Sequence, residues 1–542
     1  MAIEREPNQA PVNVPRATRT CLLAIVTVLA AAAPWFNVPI DRADTAGMLS
    51  HLHTFFVGGD LLYDDEYDRL GMSPLFAFVT SNDLVSNHWP IGATWLQAPG
   101  YLLGIVASFV LAGLGVGAPN TLGLVVVLGV RAIAMLVLAA FVWTVHRMLA
   151  PSIGRGPATL CAGTCTVGTP LLYYASEAAM RPHLFGAAVT LAIVVIWFRR
   201  SERASEIACV AALAGLATCV RPQLAFVWLL AAELAWHTHQ RARNLMIAFG
   251  CALPWALVNP RLQAFLYGAD AMQYARPVHH HVVAFLGSPY HGVLVWSPVI
   301  MLGVGGLALA TARRERGAWL LIAIVLGQIW MDSGQLSIEP FAVLGTRTWG
   351  GGTSFGPRKL VDILPLLLPG IPALVRAFGS RSRGLAWLAA VLSVPTMVLY
   401  LAAFVDPDRT TGGVHDWGSL WGTAAMAFDP AAWRRCLEAR AMPLLVPLVV
   451  TAVVSLPLWS VGAWATRTLR QSHAVASAWL LITLAGAAFV HLWLFWLVYR
   501  TDATREREAE RMLDARLRYT PSHVEAVAAV PDVEARIGAV AE

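Results

Sequence analysis

Apolar runs about as long as a bilayer crossing recur along nearly the whole chain, and arginines fill alternate gaps between them. No other feature constrains the fold as strongly. A spanning helix needs about 20 mostly apolar residues, and cytoplasmic loops collect Lys and Arg. Candidate spans fall near 20–38, 121–149, 157–175, 183–199, 205–220, 223–238, 244–259, 291–311, 318–333, 360–378, 385–405, 442–464 and 476–499. The loops between them that carry Arg199, Arg200 and Arg203, Arg241 and Arg243, Arg313, Arg314 and Arg316, Arg381 and Arg383, and Arg467 and Arg470 all fall on one side. The stretch 93–117 is apolar but broken by Pro99 and several glycines. As a span it would invert every later loop, so it is read as an interfacial or re-entrant helix.

The expected fold class is therefore an all-α polytopic membrane protein of about 13 transmembrane helices. Residues 1–19 form a cytoplasmic N-terminal segment. Arg16 and Arg19 precede the first run, which lacks a small-residue cleavage pattern and reads as a retained signal anchor. A large external first loop, 39–120, carries juxtamembrane helices. The C-terminal helices occupy 381–500 with an external loop at 406–441. An external amphipathic tail fills 501–542, in which TREREAERMLDARLRY mixes charge at helical spacing.

Composition agrees: 57% of residues are hydrophobic and 13% charged, too apolar for a soluble chain of 542 residues. The formal charge is +6, carried almost wholly by Arg, with Lys359 the only lysine. It is assigned to cytoplasmic loops and not to a nucleic-acid surface. The seven cysteines include no CxxC pair and read as small buried residues.

Against this background the first loop stands out. Asp41, Asp44, Asp60, Asp64, Asp65, Glu66, Asp68, His51, His53 and His88 fall between two apolar segments. Loops this long are usually functional or disordered, and the aromatic and apolar residues threaded through this one argue against disorder. At the expected outer ends of the helices lie Arg131, Arg181, His183, Arg221, Arg276, His291, Arg347, Arg358 and Lys359. Carboxylates facing Arg and His suit a reaction in which a proton is taken up and an anion departs.

The order of the motifs resembles a known family. Asp44 with Leu49–Glu66, containing GGDLLYDDEY, is similar to the first luminal loop of GT-C glycosyltransferases. More narrowly it resembles bacterial members related to dolichyl-phosphate-mannose protein mannosyltransferases. NHWPIGATWLQAPGYLLG, with Pro90 and Gly92, then AAMRPHLFG, GLATCVRPQ, SPYHGVLVWSP and WGGGTSFGPRKLVDILP continue it. The resemblance spans about residues 20–380, read as a GT-C-like catalytic membrane module. It implies a polyprenyl-phosphate sugar donor, mannose- or arabinose-like, and inverting transfer on the external face of the inner (plasma) membrane. The acceptor would be a glycan, lipid or protein hydroxyl. It also implies Asp44 as general base. The family's adjacent acidic pair is spaced differently here, so Asp41, three residues away, is a second candidate for the base.

Other readings stand beside these. Asp44 could cap the helix that follows it. Arg221, Arg358, His183, His291, Lys359 and Arg347 are candidates for the donor phosphate; a helix-end arginine can also simply snorkel. Asp60, Glu66 and His88 could assist the acceptor or a metal, Asp60 and Glu66 through oxygen ligands to a divalent cation such as Mg or Mn. Solvated loop acids are the plainer alternative. His51 with His53, and the triple His279–His281, could bind transition metals. Arg131 could reach the pocket or pair with Glu177, and His491 should make a helix–helix hydrogen bond. The competing functions are a transporter or flippase for lipid-linked sugars, and a non-catalytic scaffold of the same fold.

Overall fold

The computed structural model describes residues 43–71, 79–80, 82–87, 89–199, 203–268, 277–336, 355–379, 382–406, 416–440 and 472–507. The expected spans 20–38 and 442–464, and the candidates Asp41, His88 and Arg347, lie outside them. Among the described residues five helices are long and apolar enough to cross a membrane: Gly92–Gly113, Leu124–Ile153, Arg241–Tyr267, Arg358–Phe378 and Gly384–Ala403. Shorter apolar helices run His183–Phe198, Ala204–Val220, Pro222–Trp236, Ile300–Ala312, Ala318–Asp332 and Thr483–Val498.

Two expected spans are divided. The 157–175 region forms Arg155–Val167 and Leu171–Ser176, separated at Gly168–Pro170. The 291–311 region forms Val293–Trp296 and Ile300–Ala312 around Ser297-Pro298. Proline disfavours helical geometry in the residue before it, and Ser297 sits at φ −145°, ψ 60°. A short antiparallel ladder, Pro277–His280 against Gly334–Leu336, adds a β element that helical periodicity does not foretell.

The 93–117 stretch, set aside as interfacial, contains one helix, Gly92–Gly113, whose length and composition would also allow it to cross. Its first turn abuts the end of Ala204–Val220, where a Cβ on Gly92 would overlap the Cys219–Val220 backbone. Further along, Gly100 and Gly104 meet Leu124–Ile153, and a Cβ on Gly100 would lie 2.5 Å from Gly129 O. Lipid tails are as apolar as leucine, so helices in a bilayer gain little from the hydrophobic effect and depend on close backbone contact and polar links. Glycines four apart supply the contact here.

Polar links hold the last helix, Ser472–Arg507. Trp255 Nε1 donates to Thr483 O at 2.8 Å. His491 bridges helices as expected, with Nε2 on Pro254 O at 2.6 Å and Nδ1 near Arg261 Nη1 at 3.1 Å. The same helix reaches the first loop: Trp493 Nε1 donates to Phe55 O at 3.1 Å, and Leu61 N–H donates to Thr501 Oγ1 at 2.7 Å.

Candidate active site

The site is assembled where several helices begin or end together. Ala43–His53 brings Asp44 in its first turn. The turn before His183–Phe198 brings Arg181. Ala204–Val220 stops at Arg221, because Pro222 forces its predecessor out of helical geometry. Arg221 is accordingly extended at φ −152°, ψ 120°. Ala318–Asp332 ends on an aspartate. Arg358–Gly370 opens with Arg358 and Lys359 and winds as a 3-10 helix. Such runs rarely exceed four residues; Pro365 and Pro369 lie inside this one, and each would break a regular α-helix there.

Asp44 accepts from three side chains. Its Oδ2 meets Arg181 Nε at 3.0 Å and Arg358 Nη1 at 2.8 Å, and its Oδ1 takes the indole N–H of Trp89 at 2.8 Å. Its carboxylate pairs with two arginines. Asp44 and Arg358 are each 23% exposed at the side chain, and Arg181 is 5% exposed. Solvent therefore reaches the group at Asp44 and Arg358 and hardly at Arg181.

The first loop is built to aim Trp89. His51 Nε2 donates to Trp89 O at 2.9 Å, and its Nδ1 receives the Tyr63 hydroxyl at 2.9 Å. Burial pushes Tyr63 well above its ordinary value, so that hydroxyl keeps its proton. Asn87 Nδ2 donates to Gly47 O at 3.0 Å. The Trp89 ring lies so close over Gly47 that any Cβ there would overlap it.

Beneath Asp44 is a fully buried second set. Arg221 Nη1 contacts the carboxylate of Asp362 and lies 2.9 Å from His183 Nδ1; His183 Nδ1 is 3.3 Å from Asp362 Oδ2. The other oxygen, Asp362 Oδ1, sits against Gly186, where a Cβ would overlap it. Lys359 Nζ donates to Asp332 O at 2.9 Å, and Gln328 Nε2 donates to Asp332 Oδ2 at 2.7 Å. Arg181, Arg358 and Lys359 all lie within electrostatic reach of His183, which joins the two sets. Four cations thus face three carboxylates, a formal +1 with His183 counted neutral.

His291 stands at the far end of an aromatic wall. Its ring lies 5.2 Å from Trp296, and the contacts run on through Phe355, Tyr173 and Tyr174 to His183. It is buried, with φ +60°, a conformation that costs a non-glycine residue free energy. Arg131 turns to Glu177, donating to its carbonyl at 3.4 Å.

The remaining acidic candidates are placed elsewhere. Asp60 Oδ1 receives Leu62 N–H at 3.1 Å in a local turn, and Glu66 lies 2.7 Å from His53 Nδ1. His53 Nε2 contacts Thr121 Oγ1 at 3.0 Å. His280 stacks on Trp330 with ring centroids 3.9 Å apart. His51 and His53 are each engaged with different partners, and neither they nor Asp60 and Glu66 share a ligand set. Among the described residues no group of three or more His, Cys, Asp or Glu is placed to hold a metal ion. Asp362, Asp332 and Trp89 are members that the sequence did not single out, and Arg181 was named among the helix-end cations but not among the candidates for the donor phosphate. For the two aspartates the signal was present, since a charge in or at the end of an apolar run is costly and marks function.

The His53–Glu66 pair sets a pH dependence. Burial, then Arg69, brings His53 down to about 4, while burial raises Glu66 well above the usual carboxyl range. The folded pair therefore holds its proton on Glu66 and not on His53. The unfolded pair, at 6.5 and 4.5, also holds one proton between those values, so its contribution is flat there. Above pH 6.5 the unfolded pair gives up that proton and the folded pair retains it, so stability falls with rising pH. The slope approaches about 1.4 kcal/mol per pH unit until Glu66 ionises. Unfolding of the wild type and of Glu66→Gln, measured from pH 5.5 to 8, checks this. The wild type loses stability relative to the variant from the bottom of this window upward, because the variant keeps His53 and itself gains stability up to about pH 6.5; a constant difference would exclude a proton retained on Glu66.

No family model matches the sequence, and no curated protein matches it. Among solved structures, the chain is similar to ArnT from Cupriavidus metallidurans bound to undecaprenyl phosphate. That match has a TM-score of 0.43 and 15% identity over 92% of this chain and 80% of that one. It is also similar to the apo state of ArnT, with a TM-score of 0.44 and 15% identity over 90% and 78%.

Proposed function

We propose that the chain is an inner-membrane glycosyltransferase. It moves a sugar from a polyprenyl-phosphate donor to an acceptor hydroxyl on the external face, with inversion. The observation that carries this is the cluster around Asp44. One partly exposed carboxylate lies against two arginines, next to a buried set with two more cations and a formal surplus of positive charge, all at the same ends of apolar helices. Asp44 takes the acceptor proton, the acceptor oxygen attacks the anomeric carbon, and the carbon–phosphate-oxygen bond breaks. Arg181 and Arg358 hold the departing phosphate through guanidinium forks. Arg221 and His183 add positive charge and a donor from below. The external placement rests on the arginine-rich loops at the opposite ends of these helices, at Arg199, Arg203, Arg313 and Arg316.

A carrier of lipid-linked sugars is the competing reading. Carriers gather ionisable groups and broken helices near mid-bilayer, whereas this cluster sits at helix ends, which favours transfer. The test is lipid extraction from the purified protein, mass identification, and incubation with labelled polyprenyl-phosphate sugars. A retained polyprenyl phosphate together with consumption of one such donor is expected. Neither retention nor consumption across hexosyl and pentosyl donors would end the proposal.

A further inference from the structure

The arrangement around Asp44 poses a chemical conflict. The carboxylate meant to accept a proton already accepts at least three hydrogen bonds, two of them from guanidinium groups. Hydrogen bonds to the charged form hold a carboxylate ionised and weaken it as a base. The same two guanidinium groups are those placed best to receive a phosphate. Both roles cannot be filled at once by this geometry.

We infer that Asp44 is an internal anion occupying the phosphate site of Arg181 and Arg358, and that a lipid-linked phosphate displaces it. Three observations support the exchange. Arg181 and Arg358 converge on one oxygen, Oδ2, at 3.0 and 2.8 Å, as they would on a phosphate oxygen. The set is open on the Asp44 and Arg358 side, each 23% exposed, so an anion can enter. Trp89 holds the other oxygen, Oδ1, and is itself fixed by His51 and by its packing over Gly47, so Asp44 has a pivot when Oδ2 is released. Trp89 is on this account a positioning residue.

The exchange gives the base a condition. Without donor, Asp44 is neutralised and cannot activate water or acceptor. With donor, the guanidinium groups turn to the phosphate and Oδ2 becomes free. The acceptor proton then moves to Oδ2, the acceptor oxygen bonds to the anomeric carbon, and the electron pair of the broken bond leaves on the phosphate. That sequel rests on the glycosyl-transfer reading; the exchange itself does not, and can be tested without transfer.

The test is equilibrium binding of a radiolabelled polyprenyl monophosphate to the full-length purified protein. An internal competitor lowers apparent affinity by the fraction of protein in which it is bound. Asp44→Asn should therefore bind the probe about tenfold or more tightly than wild type, although it has lost transfer activity. Arg181→Gln should bind about tenfold more weakly than wild type. Asp44→Ser, smaller and neutral, serves should the Asn variant fail to elute as a single species, and should tighten binding likewise. Equal or weaker binding by the Asp44 variants, or no binding by any form, would overturn the exchange. Tighter binding in a protein whose wild type consumes no sugar donor would uphold the exchange and remove the transferase reading. Repeating the titration with inorganic phosphate separates recognition of the phosphoryl group alone from recognition that needs the lipid.

Discussion

Asp44→Asn will lower sugar transfer by about 10²–10⁴-fold, the range a positioned general base supplies. The substitution keeps size and shape. Its amide oxygen can still accept from a guanidinium group or the Trp89 indole, so the first loop retains its packing. What it removes is the ability to take a proton. The effect should appear in kcat under saturating labelled donor, with the protein eluting as the wild type does. Retention of more than about a tenth of wild-type kcat would show that another group takes the proton. Asp41, three residues earlier, would be the first alternative to examine.

Asp362 should behave differently. It has no exposed face, and its partner Arg221 is buried with it. Removing one member of such a pair leaves an uncompensated charge and costs about 3–5 kcal/mol. Asp362→Ala is therefore expected to lose that much stability in denaturant or thermal unfolding. The double variant Arg221→Met, Asp362→Leu should regain most of it, because apolar residues of similar volume replace a buried ion pair at little cost or with a gain. It should nevertheless remain inactive, having lost a cation that faces the site. A single Asp362→Ala variant within about 1 kcal/mol of wild type would mean that Arg221 finds another anion, with Asp332 the nearest candidate.

These two aspartates show what a sequence can and cannot disclose. Helix positions were largely legible because a bilayer forces apolar runs of a fixed length, although Gly92–Gly113 is long and apolar enough to cross where an interfacial helix was expected and two expected spans are divided. Arg221 could be singled out from its place before Pro222, and Asp362 from its place inside LVDILPLLL. Which anion each cation meets was not legible. Asp44 and Arg358 are separated by 314 positions, and Arg221 and Asp362 by 141. Nothing in local spacing encodes those pairings. The partners of the first-loop histidines were not legible for the same reason. His51 and His53 have a spacing that suits metal binding, yet their partners, Tyr63 and Trp89 for one and Glu66 and Thr121 for the other, are set by tertiary packing.

The contact between Leu61 and Thr501 bears on how the protein is made. The two residues are 440 positions apart. At about 5–20 residues per second, ribosomes take roughly 20–90 s to travel from one to the other. During that interval the nascent first loop is already synthesised but lacks the helix that meets Phe55 and Leu61. A chaperone or neighbouring membrane segment has that window in which to guard its aromatic side chains, and a stop codon before residue 483 would leave them without their lid.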